Sequence, residues 1–470
     1  GKDRKLPSSY RPIALTSVLM RMFEKIVREQ LIDHLETNNL INNAQHGFRN
    51  QRSCLTQLLV HYDEILMMVE EGMQVDVIYC DFEKCFDKVD FGILLNKLKA
   101  KGINGKALLF IKNFTTKRTF QVRVGTQLSK EEHVKSGIPQ GTVLGPLLMI
   151  VMNDDLGKLL INSQVGFFAD DTKMKRSIIG EEDVSKLQSD LKEILAWSET
   201  NNMKLNEDKF VVMSYNKQIS ISNDYKLNNG TILTNENATR DLGITMTNDA
   251  TFSTHISNII SESRCLISMI FRSFRSRDPS IIMPVYRALV LSKIDYCSVL
   301  WGPTNLVDVR RLEKIQADFT YRLLYTKDGE RKNYWERLKI LRLYSIERRF
   351  ERYCVIFVYK ILNNLVYNPG IGSTFSERRG LKCLVPNYHG KLRESSFLVR
   401  GPKLFNSLPS EIRNFPFNKE ISTEQSMNNF KQALDDYLKT IEDKPNLSSN
   451  YTKFMTRFDY NGDRTNSIMK

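Results

Sequence analysis

The sequence predicts an α+β protein, and three features predict it. Residues 75–81 are rich in β-branched and aromatic side chains and read as a strand, residues 165–173 read as a hairpin, and beyond about residue 252 apolar residues recur at helical spacing. In the strand, Val75, Val77 and Tyr79 alternate with Asp76, Ile78 and Cys80, so apolar residues lie on both sides and both faces are expected to be buried. The order around it is strand (75–81), helix (near 91–101), a basic strand pair (near 119–135), helix (near 142–156), hairpin, helix (183–199) and strand (209–215). Val184, Leu187, Leu191, Ile194 and Leu195 give helix 183–199 one apolar face, which backs the sheet in a split β-α-β arrangement.

Two helices are predicted upstream, over 18–35 and 54–71, joined by the loop that carries Gly47, Phe48 and Arg49. In the first, Leu19, Met22, Phe23, Ile26, Val27, Leu31 and Leu35 follow three- and four-residue spacing and are expected to face the core. Downstream, helices are predicted near 256–276, 279–300, 306–326 and 344–366. Val309, Leu312, Gln316, Phe319 and Leu323 form a stripe that Arg310, Arg311 and Arg322 stand off, which predicts a helical region with a basic face. From about 367 Gly, Pro, Ser and Asn mix with basic residues, a short helix follows near 424–441, and the polar tail after Asp443 is expected to be disordered.

Composition narrows the partners. Lys and Arg outnumber Asp and Glu by 68 to 54, a formal charge of +14 that favours a polyanion. Seven scattered cysteines without a Cys-x2-Cys pair indicate neither a zinc knuckle nor a disulfide framework, and imply a reducing, intracellular setting. No apolar stretch reaches the roughly 18 residues that span a bilayer, so no membrane partner is expected. The chain opens at Gly1, close to Arg11 and Pro12, and reads as a fragment.

The chemistry is announced by Phe168-Ala169-Asp170-Asp171. Two carboxylates about 4 Å apart repel by roughly 1 kcal/mol in water and about 4 kcal/mol at an effective dielectric of 20. A hairpin turn accounts for the composition, because Asp tolerates turn geometry; a third carboxylate, Asp81 at the carboxyl end of strand 75–81, points to more. If that strand pairs beside the hairpin, Asp81, Asp170 and Asp171 converge, and hard divalent cations with phosphate oxygens are their natural company. Between them Ser136-Gly137-Ile138-Pro139-Gln140-Gly141 forms a Gly/Pro-punctuated loop in which glycines allow close approach of a flat ligand and Gln140 offers uncharged hydrogen bonds.

Taken in order, Asp81 followed by Phe86-Asp87, then Ser136 to Gly141, then Phe168 to Asp171, this chain resembles the reverse transcriptase of non-LTR (LINE-type) retrotransposons. Further blocks resemble the same family: Arg11-Pro12-Ile13-Ala14-Leu15 and Gln45-His46-Gly47-Phe48-Arg49 its fingers motifs, Trp197 with Lys204 to Lys209 the motif after the hairpin, and Leu242-Gly243-Ile244 its primer grip. Tyr286 through Trp301 and Arg400 to Pro409 look like the thumb and tail of jockey or CR1-like elements. The resemblance implies a right-hand polymerase with fingers (1–72), palm (73–215), primer-grip region (216–251), helical thumb (252–366), C-terminal basic region (367–442) and tail (443–470).

It also implies roles. Asp81, Asp170 and Asp171 would hold two Mg²⁺ ions, with Mn²⁺ as a substitute; Asp81 and Asp170 would bridge both. Phe86 would sit beneath the incoming sugar and exclude a 2′-hydroxyl, Gln140 and Gly141 would meet the nascent pair, and Pro139 belongs to the same contact. Arg49 or Arg11 would hold triphosphate or template backbone, and Lys209 the leaving pyrophosphate, although a solvated lysine beside Glu207 and Asp208 accounts for it equally. Leu242 and Gly243 would touch the primer. Partners would be an RNA template, a DNA primer and dNTPs, with action in the nucleus. Asp87, Asp154 and Asp155 are read as helix-end or backbone-orienting carboxylates. Three readings stay open: an RNA-templated DNA polymerase, an RNA-templated RNA polymerase, against which Ala169 and Phe86 argue, and a dead or domesticated copy that only binds nucleic acid.

Overall fold

The computed structural model describes residues 6, 10, 12–217, 223–325, 332–376, 380–441 and 443. The tail beyond residue 443 and Arg11 therefore lie outside the described residues. The chain divides into two compact units, residues 1–57 with 72–237, and residues 58–71 with 238–470.

In the first unit the elements run α1 (Val18–Thr37), α2 (Cys54–Glu70, its first turn only), β1 (Gln74–Cys80), α3 (Cys85–Lys88), α4 (Phe91–Ala100) and α5 (Gly105–Thr116). Four two-residue strands follow, β2 (Thr119–Phe120), β3 (Arg123–Val124), β4 (Gln127–Leu128) and β5 (Glu132–His133), all exposed. Then come α6 (Gly145–Asn153), α7 (Leu156–Leu159), β6 (Gln164–Phe168), β7 (Asp171–Ile178), α8 (Glu181–Thr200), β8 (Val211–Tyr215) and β9 (Thr234–Asn235).

The sheet order is β6-β7-β1-β8-β9. β1 is central and antiparallel to both β7 and β8, as its two-sided apolar pattern requires; six of its seven residues are buried. One apolar core joins Ile78 and Cys80 of β1, Leu147 to Met152 of α6, Leu187, Leu191 and Ile194 of α8, and Val212 of β8. Each fully buried Leu or Ile there contributes roughly 1.5–3 kcal/mol. Three acids in the first turn of α8, Glu181, Glu182 and Asp183, face the positive end of its dipole.

Some expectations need correction. The α1 stripe is not core: Leu19, Met22, Phe23 and Ile26 are exposed, Leu19 by 79 %, whereas Glu24 is fully buried. The reason is polar. Glu24 Oε2 accepts from Val143 N (2.7 Å) and Leu144 N (3.0 Å) just before α6, so the early turns of α1 dock through this carboxylate, while Leu31, Ile32 and Leu35 enter the core and Val27 packs against it. Helix α5 is an element the sequence reading lacks; Ile111 enters the core, and Leu108, Phe110 and Phe114 pack against it at helical spacing. Asp154 and Asp155 do stand at helix ends, and they are also paired: Asp154 with Lys101 (2.5 Å), while accepting from Asn42 N (2.6 Å), and Asp155 with Lys97 (2.7 Å).

Residues 58–71 group with the second unit, and the first unit resumes at Gly72. There Tyr62 donates to Ala250 O (2.8 Å), Asp63 is ion-paired with Arg393 in the interior, and Glu70 accepts from Gly390 N (2.8 Å). The rest of this unit is mainly helical, with Ser253–Ser273, Leu306–Leu324 and Ile346–Leu362 close to their predicted spans. The helix expected over 279–300 is interrupted: Pro279–Tyr286 passes through a π turn, Arg287–Leu291, to Ser292–Asp295, and Cys297 at φ 52° breaks it before Ser298–Trp301. Pro284 and that left-handed residue account for the break.

The described residues of the 367–442 segment are folded onto the helices of the same unit. Tyr359 stacks on Phe430 at 3.6 Å, and Arg400 donates to Val299 O (2.8 Å) and to Gly302 O. Among the described residues no helix is long and apolar enough to cross a membrane.

Candidate active site

The β6–β7 hairpin closes with Phe168 opposite Asp171, so Ala169 and Asp170 form a two-residue turn. Ala169 has φ 58° and is buried. A left-handed conformation costs a non-glycine residue roughly 1–2 kcal/mol and persists only where neighbours enforce it. The neighbours are in the loop before α2. Gln45 Oε1 accepts from Ala169 N (2.9 Å), and Gln45 Nε2 donates to Ala169 O (3.3 Å). His46 N donates to Phe167 O (2.9 Å) and Phe167 N to Ala44 O (3.0 Å), so residues 44–46 run along the outer edge of β6. Arg49 secures the loop: it is paired with Glu36 of α1 and donates to Asn42 O (2.9 Å).

Register places the other acids. Cys80 lies opposite Thr172, so the next step along both strands sets Asp81 beside Asp171. Asp81 Oδ2 accepts from Lys209 Nζ at 2.7 Å, and Asp81 O accepts from Asn206 N at 2.8 Å. Lys209 ends the short 3₁₀ helix Glu207–Lys209, and its side chain is mostly exposed while paired with Asp81. Asp170 Oδ2 accepts from Cys85 Sγ at 2.9 Å. Burial, reinforced by Asp81, pushes the neighbouring Cys80 thiol well up, so Cys80 stays protonated.

The expected loop forms a second cluster beside α3. Gly137 has φ 94°, and a Cβ there would lie 2.7 Å from Asp87 O, so glycine is required. Ile138 N donates to Phe86 O (2.7 Å), Ser136 Oγ to Asp87 O (3.0 Å) and Gln140 Nε2 to Asp87 Oδ1 (2.7 Å). Phe86 is half-buried against the core, Pro139 is buried, and Gly141 (φ 86°) lies against Ile13 and Ala14. Cys85, next to Phe86, links this cluster to Asp170.

Asp81, Asp170, Asp171 and Lys209 thus share one end of the sheet, and Phe86, Pro139, Gln140 and Gly141 share one loop–helix junction. Arg49 is committed to its own loop. Leu242 (φ 44°) and Gly243 (φ 88°) lie in the other unit, where they form the tight turn between strands Ala238–Asp241 and Ile244–Thr247, and Leu242 O accepts from Tyr296 Oη at 2.9 Å. Sequence reasoning missed Gln45 and Cys85 as parts of the site and read Asp87 as orienting backbone, whereas its carboxylate holds the Gln140 side chain. The Gln45-x-Gly47 spacing was a visible signal, but its partner lies 124 residues away.

Among the described residues no three His, Cys, Asp or Glu side chains are gathered closely enough to hold a metal ion as they stand. The donor set nevertheless fits a hard divalent cation. Its acids are oxygen donors on adjoining strand ends, and Asp81 already holds one cation, the Lys209 ammonium.

A sequence profile of the reverse transcriptase (RNA-dependent DNA polymerase) family matches residues 2–245. The chain is 26 % identical over 350 residues to the RNA-directed DNA polymerase from mobile element jockey of Drosophila melanogaster, covering 70 % of this chain and 38 % of that protein. It is 24 % identical over 324 residues to the probable RNA-directed DNA polymerase from transposon X-element of the same species, covering 67 % of this chain and 36 % of that one. The match thus spans little more than a third of these curated relatives. Apo telomerase from Candida Tropicalis is a solved structure that overlaps 73 % of this chain and 58 % of its own, with a TM-score of 0.40 at 12 % identity.

Proposed function

The chain belongs to the reverse transcriptase (RNA-dependent DNA polymerase) family, and we propose that it is the RNA-directed DNA polymerase portion of a non-LTR retrotransposon protein, extending a DNA primer with dNTPs on an RNA template. The observation that carries this reading is the register of β1 against β7, which brings Asp81 and Asp171 together beside the Asp170 turn. In this reading the sheet unit supplies palm and fingers of a right-hand polymerase, and the helical residues after 252 supply the thumb. Action in the nucleus is part of the proposal.

Asp81, Asp170 and Asp171 would hold two Mg²⁺ ions, which when bound neutralise the triphosphate and ease deprotonation of the primer 3′-hydroxyl. To do so Asp81 must release Lys209. The freed ammonium, on a flexible and mostly exposed side chain, is then available to neutralise or protonate the leaving pyrophosphate. Gln140 donates its amide to Asp87, which leaves its carbonyl oxygen to face a ligand. Gly141 permits close approach of a base pair, and Phe86, held against the same loop, excludes a 2′-hydroxyl by bulk.

The test is extension of oligo(dT) on poly(rA) with dTTP and Mg²⁺. The wild-type chain should incorporate dTTP and Asp170→Asn should not. Incorporation undiminished in Asp170→Asn would overturn the assignment, and its absence from the wild type would overturn the activity.

A further inference from the structure

Ala169 presents an unusual demand. Its φ of 58° takes the backbone out of the β6–β7 ladder at the point where Asp170 must be aimed, so no neighbouring strand can pair with it. One side chain takes the strand's place. The Gln45 amide meets both backbone groups of Ala169, accepting from N at 2.9 Å and donating to O at 3.3 Å, while its oxygen also accepts from Gly47 N at 2.8 Å. The carbonyl it holds belongs to the peptide that joins Ala169 to Asp170, so the orientation of that peptide follows from the Gln45 amide.

The fit depends on Gly47. A Cβ there would run into the Ala169 backbone nitrogen, with the Ala169 Cα only 3.1 Å away. Gln45 is itself buried, and its own carbonyl lies 3.4 Å from Arg49 Nη1, whose guanidinium is paired with Glu36. The chain of contacts therefore runs from α1 through Arg49 and Gln45 to the turn, and every member of it is polar and buried or half-buried.

We infer that Gln45 is a positioning residue: it fixes the Ala169–Asp170 peptide in its left-handed turn and thereby aims the Asp170 carboxylate, with Gly47 supplying the clearance. The inference rests on the reading of Asp170 as a catalytic carboxylate. An amide is needed because a single oxygen must accept two N–H groups while the same group donates to a carbonyl. Glu at this position keeps the accepting bonds and loses the donor; Ala loses all three.

The experiment uses the full chain in four forms, wild type, Gln45→Ala, Gln45→Glu and Asp170→Asn. It measures kcat and KM for dTTP on poly(rA)/oligo(dT), affinity for that duplex by anisotropy, and the thermal midpoint. Misplacing a reacting group by about 1 Å costs on the order of 100-fold in rate. Gln45→Ala should therefore lose about that much kcat, and Gln45→Glu about tenfold, while KM and duplex affinity stay within about threefold in both. A wild-type kcat in Gln45→Ala alongside an inactive Asp170→Asn overturns the positioning role and leaves the site reading standing. An active Asp170→Asn overturns the site reading itself. Parallel loss of kcat, duplex affinity and thermal midpoint in both Gln45 variants shows a merely structural residue and overturns the inference.

Discussion

The two strand ends that carry the acids are built in opposite ways. At the β6–β7 turn the backbone is clamped: Ala169 is buried, both its polar groups are taken by Gln45, and residues 44–46 lie along the outer strand. At the end of β1 the backbone is also held, through Asn206 N on Asp81 O, but the Asp81 carboxylate, 31 % exposed, is met by a lysine that is 63 % exposed. Buried hydrogen bonds contribute about 1 kcal/mol each, and far more is lost when one partner is left orphaned in the interior. An exposed ion pair is worth about 0–1 kcal/mol and is screened by salt. The difference teaches that one half of the site is set by folding and the other is left switchable, so that Asp81 can exchange a lysine for another cation without disturbing the sheet.

The sharpest way to break this contrast is to remove one carboxylate charge from each side. Asp81→Asn should lower kcat by at least about 1,000-fold, as loss of several kcal/mol of charge stabilisation implies. It should do so as fully as Asp170→Asn, because mobility of the side chain says nothing about its need in the reaction. Single-turnover incorporation of dTTP measures it, and more than a few per cent of wild-type rate in Asp81→Asn would leave the β6–β7 turn as the whole of the site.

Next in size is Gly47→Ala. The added methyl meets backbone rather than a flexible side chain, so the clamp must shift. Overpacking of this kind destabilises by about 1–3 kcal/mol, and the displaced turn should lose about 100-fold in kcat. Urea midpoints alongside rates separate the two effects. Gly137→Ala is the matched control on the other cluster, where the obstacle is Asp87 O and the left-handed φ of 94° adds strain.

The same contrast explains what could be read from the sequence. The convergence of Asp81, Asp170 and Asp171 was legible because Asp81 follows an apolar strand and the Asp170-Asp171 pair stands in a hairpin, and β1 was legible because its apolar residues fall on both faces. The early α1 stripe misled because Glu24, one of several charged residues in the helix, is what docks; its partners are backbone amides about 120 residues away, which no periodicity reports. Gln45 stayed hidden for the same reason. The grouping of residues 58–71 with the second unit was not legible, because α2 has continuous helical spacing and nothing in the pattern marks a change after Gln57.

A smaller effect is expected from Lys209→Ala. Removing so exposed a partner should change stability by no more than about 0.5 kcal/mol. It should free Asp81, lowering the Mg²⁺ concentration that half-saturates activity, while slowing the maximal rate about tenfold through loss of the ammonium beside the leaving group. A rise in the Mg²⁺ requirement would instead make Lys209 a support for the site rather than its competitor.

The mildest test concerns the clamp loop and pH. His46 is buried, donates or accepts with Thr56 Oγ1 at 2.9 Å, and is held neutral down to about 3, first by burial and then by the charges of Arg52, Arg49 and Lys173. In the unfolded chain it titrates near 6.5. Between those two values the unfolded state binds a proton that the folded state refuses, so stability falls as pH falls through this window and does not change on this account above it. The slope from one such group approaches about 1.4 kcal/mol per pH unit. Wild type should therefore lose urea stability faster than His46→Asn as pH is lowered from 7.5 to 4.5, because Asn can keep a bond to Thr56 but cannot take the proton. Parallel curves would place the acid sensitivity of this unit outside the clamp, and the firmly held side of the site would then owe nothing to a neutral His46.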